Sequence, residues 1–259
     1  MLILSLFPGI DLFGEGFREQ GCCVVQAGDI ILGQDIRKFR GVSGKFDGII
    51  GGSPCQDFSQ ARRSAPTGYG LEMLSHFKRV VMECQPDWFL LENVPNVPPI
   101  SVDGYEMQRF YLNANECGSR QNRNRFFQFG SKAGWVLDIK RLPKPAKSER
   151  CAMASEGNSA NRRSWEEFCE LQGIVEPFDL PDLTKGAAYK VVGNAVNLGV
   201  SRTVAAAISE AYTNPTYLRD VKTCFCGCGR LLAGNQKTAT DACRKRVSVR
   251  RHGSLSAAA

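Results

Sequence analysis

Histidine is almost missing from this chain: His76 and His252 are the only two among 259 residues. A thiol hydrolase needs a histidine beside its cysteine. His252 lies in a charged tail, and His76 falls on a helical stretch facing no obvious carboxylate. Hydrolysis by a Cys–His pair is therefore a poor expectation. Long apolar runs are also missing. None approaches the roughly 20 residues needed to cross a bilayer, and no basic stretch leads into an apolar one at the start. The expectation is a soluble, unexported, cytoplasmic protein with no membrane partner. There is no internal repeat. The first 213 residues lack net charge, with 24 basic and 24 acidic groups.

What is present is unevenly placed. The net charge of +7 sits wholly in residues 214–259, which carry nine Lys/Arg and two Asp. A neutral body with a basic attachment points to a polyanionic partner. The eleven cysteines are an odd count with no secretory signal before them, and reduced thiols fit better than disulfides. Seven are scattered through the body. Cys224, Cys226, Cys228 and Cys243 crowd into the tail.

Short apolar runs at 2–7, 22–25, 46–50 and 87–94 read as strands. Helical spacing covers 12–20, 71–84 and 196–212. This alternation predicts a parallel α/β sheet with ligands at the carboxyl ends of its strands. Residues 131–184 carry four prolines and only short periodic pieces, which suggests a small subdomain, and 214–222 reads as a linker. "IIGGSPCQDFS" (49–59) places Cys55 just beyond a strand's end, either as a nucleophile or as one more buried thiol. With no histidine to serve it, a thiol there suits addition to a ring carbon, an acid on the ring handling the charge.

Six ordered pieces, "LFPGI" (6–10), "QDIRKF" (34–39), "GGSPCQDFS" (51–59), "LLENVPNV" (90–97), "QNRNRFFQFG" (121–130) and "VVGNAV" (191–196), resemble the DNA cytosine-5 methyltransferases. They span nearly all of residues 2–212. The resemblance implies a Rossmann-like α/β sheet that binds S-adenosylmethionine (1–130, returning at 185–213) and a small target-recognition region (131–184). It implies double-stranded DNA as partner, a monomer, and a cytosine swung out of the duplex. Cys55 would add to C6, Glu92 would protonate N3, Arg125 would hold O2, and Arg123 with Gln121 would brace the site. An arginine nearby would favour the Cys55 thiolate. Gly51 and Gly52 would let the chain turn tightly, and Gln56 and Ser59 would face the DNA backbone.

For the cofactor, Phe7, Pro8, Gly9 and Ile10 would form the turn after the first strand. Asp29 would take the ribose hydroxyls, Asp35 and Ile36 the adenine, and Asn194 and Val196 would close the pocket. Asp35 as a cap and Gly193-Asn194 as a helix-start turn remain alternatives. Asp11 stands where the family has a second glycine, which predicts a stiffer, more acidic loop beside the cofactor and raises the question of a modified cofactor or an RNA substrate. A non-catalytic DNA-binding protein is the third reading. The small recognition region resembles phage and prophage forms of the family.

The tail segment 223–252 reads as a zinc-finger-like module. Cys224, Cys226, Cys228 and Cys243 suit a tetrahedral Zn2+ site, although the C-x-C-x-C spacing leaves open whether all four hold one ion, with His252 in reserve. A reactive or disordered cysteine cluster is the alternative. Arg244, Lys245, Arg246, Arg250 and Arg251 follow as phosphate contacts that add affinity without choosing a sequence. Residues 253–259 are expected to be disordered.

Overall fold

The computed structural model describes residues 1–30, 33–59, 62 and 65–255, with backbone alone from Arg250 onward. Its centre is a six-stranded sheet. In chain order its strands are β1 (Leu2–Leu6), β2 (Cys23–Ala27), β3 (Gly48–Gly52), β4 (Trp88–Asn93), β5 (Glu106–Asn113) and, after the two-residue β6 (Gln121–Asn122), β7 (Asn124–Ser131). Across the sheet they run β2-β1-β3-β4-β7-β5. The first four are parallel. β7 and β5 are antiparallel to their neighbours, so the sheet is mixed rather than parallel as expected. The reason is connectivity: about ten residues join β5 to β7, too few for the crossover that a parallel pair requires.

Both faces are covered, and the pleat divides the apolar residues between them. Ile3, Ile50 and Leu90 face one core with Phe13, Phe17 and Val204, whereas Leu4, Ile49 and Leu91 face a second with Phe77 and Val81. This period-two split is why the central strands read as unbroken apolar runs. The first core is roofed by α1 (Leu12–Arg18) and a later helix, the second by α2 (Tyr69–Cys84).

Residues 131–184 hold little regular structure beyond β8 (Glu149–Arg150), which pairs with β6, and α3 (Trp165–Leu171). They do own a small core. Ala152, Phe168, Cys169 and Leu171 pack with Tyr189 and Val192 of α4 (Lys185–Asn194), a helix absent from the sequence reading. The region therefore extends through α4, past the expected boundary at 184. Next, α5 (Leu198–Thr213) starts on an Asn197 cap that accepts from Val200 N. Gly193-Asn194 consequently ends one helix and does not start the next. The stretch Lys185–Thr213 is long and apolar enough to cross a membrane by composition, but it is 61% buried and broken between α4 and α5.

The expected linker is fastened down. Val136 N donates to Thr216 O at 2.8 Å and Leu218 N to Gly134 O at 2.8 Å. β9 (Lys222–Thr223) and β10 (Leu231–Leu232) then form a small hairpin, and α6 (Asp241–Leu255) closes the chain. Residues 253–255 are helical where disorder was expected, and 256–259 lie outside the described residues.

Candidate active site and cysteine cluster

Three strand ends bring the catalytic candidates together. β3 and β4 run side by side with Gly52 opposite Glu92, and β7 enters from the other direction with Phe127 opposite Glu92. Cys55 lies three residues past β3, Glu92 at the end of β4, and Arg125 at the start of β7. The Arg125 Nε sits 3.0 Å from the Glu92 Oε1. Gly51 and Gly52 do not turn the chain, since neither has a left-handed φ. They provide space. A Cβ on Gly51 would lie 2.8 Å from the Phe77 ring, and one on Gly52 would lie 3.2 Å from Glu92 Oε2. The turn itself follows Cys55, where Phe58 N donates to Cys55 O at 3.0 Å.

The electrostatics differ from expectation at the thiol. Burial pushes the Cys55 thiol up and the Glu92 charge adds to it, outweighing the opposing pull of Arg125 and Arg123. The arginines therefore do not yield a ready thiolate in the protein alone. Glu92 is also pushed up, by its burial, against Arg125 and Arg123. A carboxyl so placed can hold a proton and give it up to a base that accumulates charge.

Arg123 and Gln121 are buried and tie the site to the recognition region. Arg123 donates to Ala152 O, Gly193 O and Ala195 O at 3.0, 3.0 and 3.1 Å, and its Nε has no partner among the described residues. Its pKa is lowered by burial and by Arg125. Gln121 donates to Leu171 O and to Gln172 Oε1, and accepts from Ala152 N. Gln56 is exposed and Ser59 is half-buried on the same loop.

Two positions escaped the sequence reading. Asn93, fully buried, clamps the nucleophile loop by donating to Ser53 O and Ser53 Oγ at 3.0 and 2.9 Å. Asp57 accepts from Thr67 N and Gly70 N at 2.9 and 2.8 Å, fixing the same loop to the start of α2. Those backbone N–H groups lower its pKa. The available signal for Asn93 was its place beside Glu92, where the pleat sends neighbouring side chains to opposite faces.

On the cofactor side, the turn after β1 uses left-handed residues at Phe7, Gly9 and Asp11, with Pro8 buried and Ile10 packed toward the small core. Asp29, two residues past β2, accepts from Gly9 N at 2.8 Å, so its carboxylate borders this turn. Asp35 is engaged by Arg37, Nε to Oδ1 at 3.0 Å, and also accepts from Arg37 N, a local turn with no helix following it. Ile36 is buried beneath it, Asn194 is exposed, and Val196 is buried in the first core.

Asp11 overturns an expectation. Its carboxylate is only 1% exposed and is consumed by four donors: Ser5 Oγ (2.7 Å), Gly14 N (3.1 Å), Gln26 Nε2 (3.0 Å) and Arg18 Nη2 (2.5 Å). It accepts the left-handed φ that the glycine would have had, as aspartate tolerates better than most residues. Its charge is spent on capping α1 rather than on the cofactor side of the loop.

His76 does face a carboxylate: Glu72 Oε1 lies 3.9 Å from its Nε2, and Arg79 Nε donates to its Nδ1. Both partners belong to the surface of α2.

In the C-terminal module the four sulfurs of Cys224, Cys226, Cys228 and Cys243 are buried and all lie within 4.8 Å of one another. Cys224 and Cys226 are 3.6 Å apart, and Cys228 and Cys243 3.8 Å. Four sulfurs at about 2.3 Å from a tetrahedral zinc are separated by about 3.8 Å, whereas a disulfide needs about 2.05 Å. One four-thiolate site accounts for the spacing. The module is docked on the sheet's edge strand: Cys228 O accepts from Tyr111 N of β5 at 3.4 Å, and Glu116 is shared by Arg141 and Arg230, each at 2.8 Å. Arg244, Lys245 and Arg246 are exposed on α6, while the Arg250, Arg251 and His252 side chains lie outside the described residues.

Residues 25–99 match the family model for C-5 cytosine-specific DNA methylases. Over these residues the chain is similar to DNA cytosine-5 methyltransferases. It is 26% identical over 196 residues to the Type II methyltransferase M.XorII of Xanthomonas oryzae, covering 60% of this chain and 45% of that protein. To M.HgiDI of Herpetosiphon aurantiacus it is 34% identical over 102 residues, 35% of this chain and 33% of that one. The matches thus take in a third to about half of these relatives' length. The fold is also that of the Entamoeba histolytica methyltransferase EhMeth, with a TM-score of 0.63 over 82% of this chain and 98% of that one at 12% identity.

Proposed function

We propose that this protein is a DNA cytosine-5 methyltransferase that methylates C5 of cytosine in double-stranded DNA, through a covalent bond from Cys55 to C6 of a base turned out of the duplex. The observation that carries the reading is the Glu92–Arg125 pair held at 3.0 Å beside Cys55, with the carboxyl pushed toward its protonated form. As the Cys55 sulfur bonds to C6, negative charge moves to N3, and Glu92 delivers a proton there. Arg125 donates to the O2 oxygen, and Arg123 holds the recognition region against the site. C5, now electron-rich, can take a methyl group, after which loss of the C5 proton, departure of the thiolate and return of the N3 proton to Glu92 restore the ring. Each residue acts on charge that appears only during the reaction.

S-adenosylmethionine would supply the electrophilic methyl group. The left-handed turn at Phe7, Pro8, Gly9 and Ile10, with Asp29 at its rim, supports a cofactor seat there, closed by Asp35, Ile36, Asn194 and Val196. Because Asp11 is buried and fully bonded, the motive for a modified cofactor falls away. The four-cysteine cluster fits one structural zinc, and Arg244, Lys245 and Arg246 beside it fit phosphate contact, joined by Arg250 and Arg251, and by Gln56 and Ser59 near the site.

The test is incubation of the purified protein with unmodified DNA and S-adenosylmethionine, followed by digestion and mass analysis of nucleosides. 5-Methyldeoxycytidine from the wild type and none from Cys55→Ser is the expected outcome. No product from protein that still binds DNA would refute the reading and favour an RNA substrate or a binding role.

A further inference from the structure

The C-terminal module carries a feature that its four-cysteine cluster does not use. Phe225, between the buried Cys224 and Cys226, is 64% exposed. The module's own small core takes Leu232, Ala239 and Val247 but not Phe225. Its backbone is nonetheless held firmly: Phe225 N donates to Lys237 O at 3.1 Å, Cys224 N to Arg230 O at 2.9 Å, and Gly227 N to Cys224 O at 3.0 Å. An aromatic ring is thus presented to solvent from a braced loop.

The ring lines a groove. Its other walls include Lys222, Leu232, Asn235, Gln236 and Lys237, and none of the described residues lining it is acidic. Lys222 and Leu232 face each other across the β9–β10 ladder. An apolar wall with one ring, two ammonium groups and two side-chain amides matches the three parts of a nucleotide: a flat face to stack, a phosphate to neutralise and a polar edge to hydrogen-bond. In a duplex the base faces are hidden by their neighbours, so the exposed Phe225 ring can stack only on a base that has left the stack.

We propose that this groove binds an unpaired base of DNA, stacked on Phe225 with its flanking phosphates on Lys222 and Lys237. The proposal rests on DNA being the substrate and adds a second nucleotide site, separate from the pocket around Cys55. It gives the module a preference for opened or single-stranded segments, where basic residues alone would grip any duplex.

The experiment is fluorescence anisotropy of the full-length, zinc-loaded protein with a labelled single strand of about 12 nucleotides and with the matching duplex. Phe225→Ala is expected to weaken single-strand binding about tenfold or more, the loss of one base–aromatic stack, while duplex binding stays within about twofold. Phe225→Trp should keep the affinity, and its added indole fluorescence should be quenched by the strand, which also guards against a folding failure in the alanine variant. Lys222→Ala should flatten the salt dependence by about 0.7 in log–log slope, one phosphate on a single strand. Equal single-strand affinity for wild type and Phe225→Ala, or none for the wild type, would overturn the proposal. Methyl transfer is scored on the same preparations. Phe225-dependent single-strand binding without any transfer would support the groove and sink the catalytic reading alone.

Discussion

Two groups of cysteines occupy this molecule, and they are treated in opposite ways. Cys55 stands alone on a loop past a strand end, half-buried, with a carboxyl and two arginines around it. Cys224, Cys226, Cys228 and Cys243 are buried with their sulfurs within 4.8 Å of one another, and the neighbouring Ala239 N and Thr240 Oγ1 donate to the Cys224 and Cys243 sulfurs at 3.3 and 3.1 Å. A thiol surrounded by charged groups can exchange protons and bond to carbon. Four sulfurs held this close, with N–H and O–H donors around them, suit a shared cation. Environment, not residue type, separates chemistry from architecture here.

The comparison can be broken most forcefully at Cys55. Cys55→Ser should lower methyl transfer by at least about 10³-fold without shifting the melting temperature, as loss of a nucleophile does. Cys226→Ser should do the reverse in kind. Metal content should fall from one zinc per chain, and hydrogen exchange of residues 223–255 should rise to that of an unfolded segment while β1, β3 and β4 stay protected.

Glu92→Gln sharpens the contrast because it moves two readouts in opposite directions. Methyl transfer should drop about 10²- to 10⁴-fold, the general-acid contribution. Alkylation of Cys55 by iodoacetamide should accelerate, by a few-fold. The sign follows from the raised thiol: the Glu92 carboxylate disfavours the thiolate only where it has lost its proton, so the acceleration should be absent at low pH and grow as pH rises through the raised Glu92 titration. In the wild type the alkylation rate should keep climbing with pH beyond the midpoint of an ordinary cysteine. A Cys55 that alkylates faster than free cysteine at neutral pH would contradict this account.

A smaller effect is expected at Asp11. Asp11→Ala removes the buried acceptor of Ser5, Gly14, Gln26 and Arg18 and the cap of α1, which should cost about 2 kcal/mol of stability, measured by urea denaturation. Cofactor affinity should change far less than it would if the carboxylate touched the ligand. Smallest of all, Arg230→Ala should loosen the docked module, raising hydrogen exchange at Tyr111 where Cys228 O is bonded, with little loss of global stability.

The parallel half of the fold was legible because three of its four strands, β1, β3 and β4, are buried runs and each of its helices shows its period. The antiparallel half was not. Glu106–Asn113 mixes two charged and two amide residues with apolar ones at a sheet edge, and nothing local marks it as a strand. The docked tail was equally hidden, because Glu116 and Arg230 meet across 114 residues of sequence. At the site, Cys55, Glu92 and Arg125 could be named from their motifs, and the structure brings them to adjoining strand ends. Their electrostatics could not be read, since the balance of burial, Glu92 and the arginines at Cys55 depends on distances. Asp11 is the plainest lesson. A glycine-to-aspartate departure looked like a change toward the ligand, yet Ser5, Gln26 and Arg18 draw it the other way.

The most direct test of the central claim is trapping with duplex DNA containing 5-fluorocytosine, where the fluorine cannot leave as a proton would, followed by peptide mass mapping. The account predicts a stable DNA adduct on Cys55, absent in Cys55→Ser and unaffected by substitutions in the four-cysteine cluster that leave the body folded. No adduct from protein that binds the DNA and S-adenosylmethionine, or an adduct on any other cysteine, would contradict it.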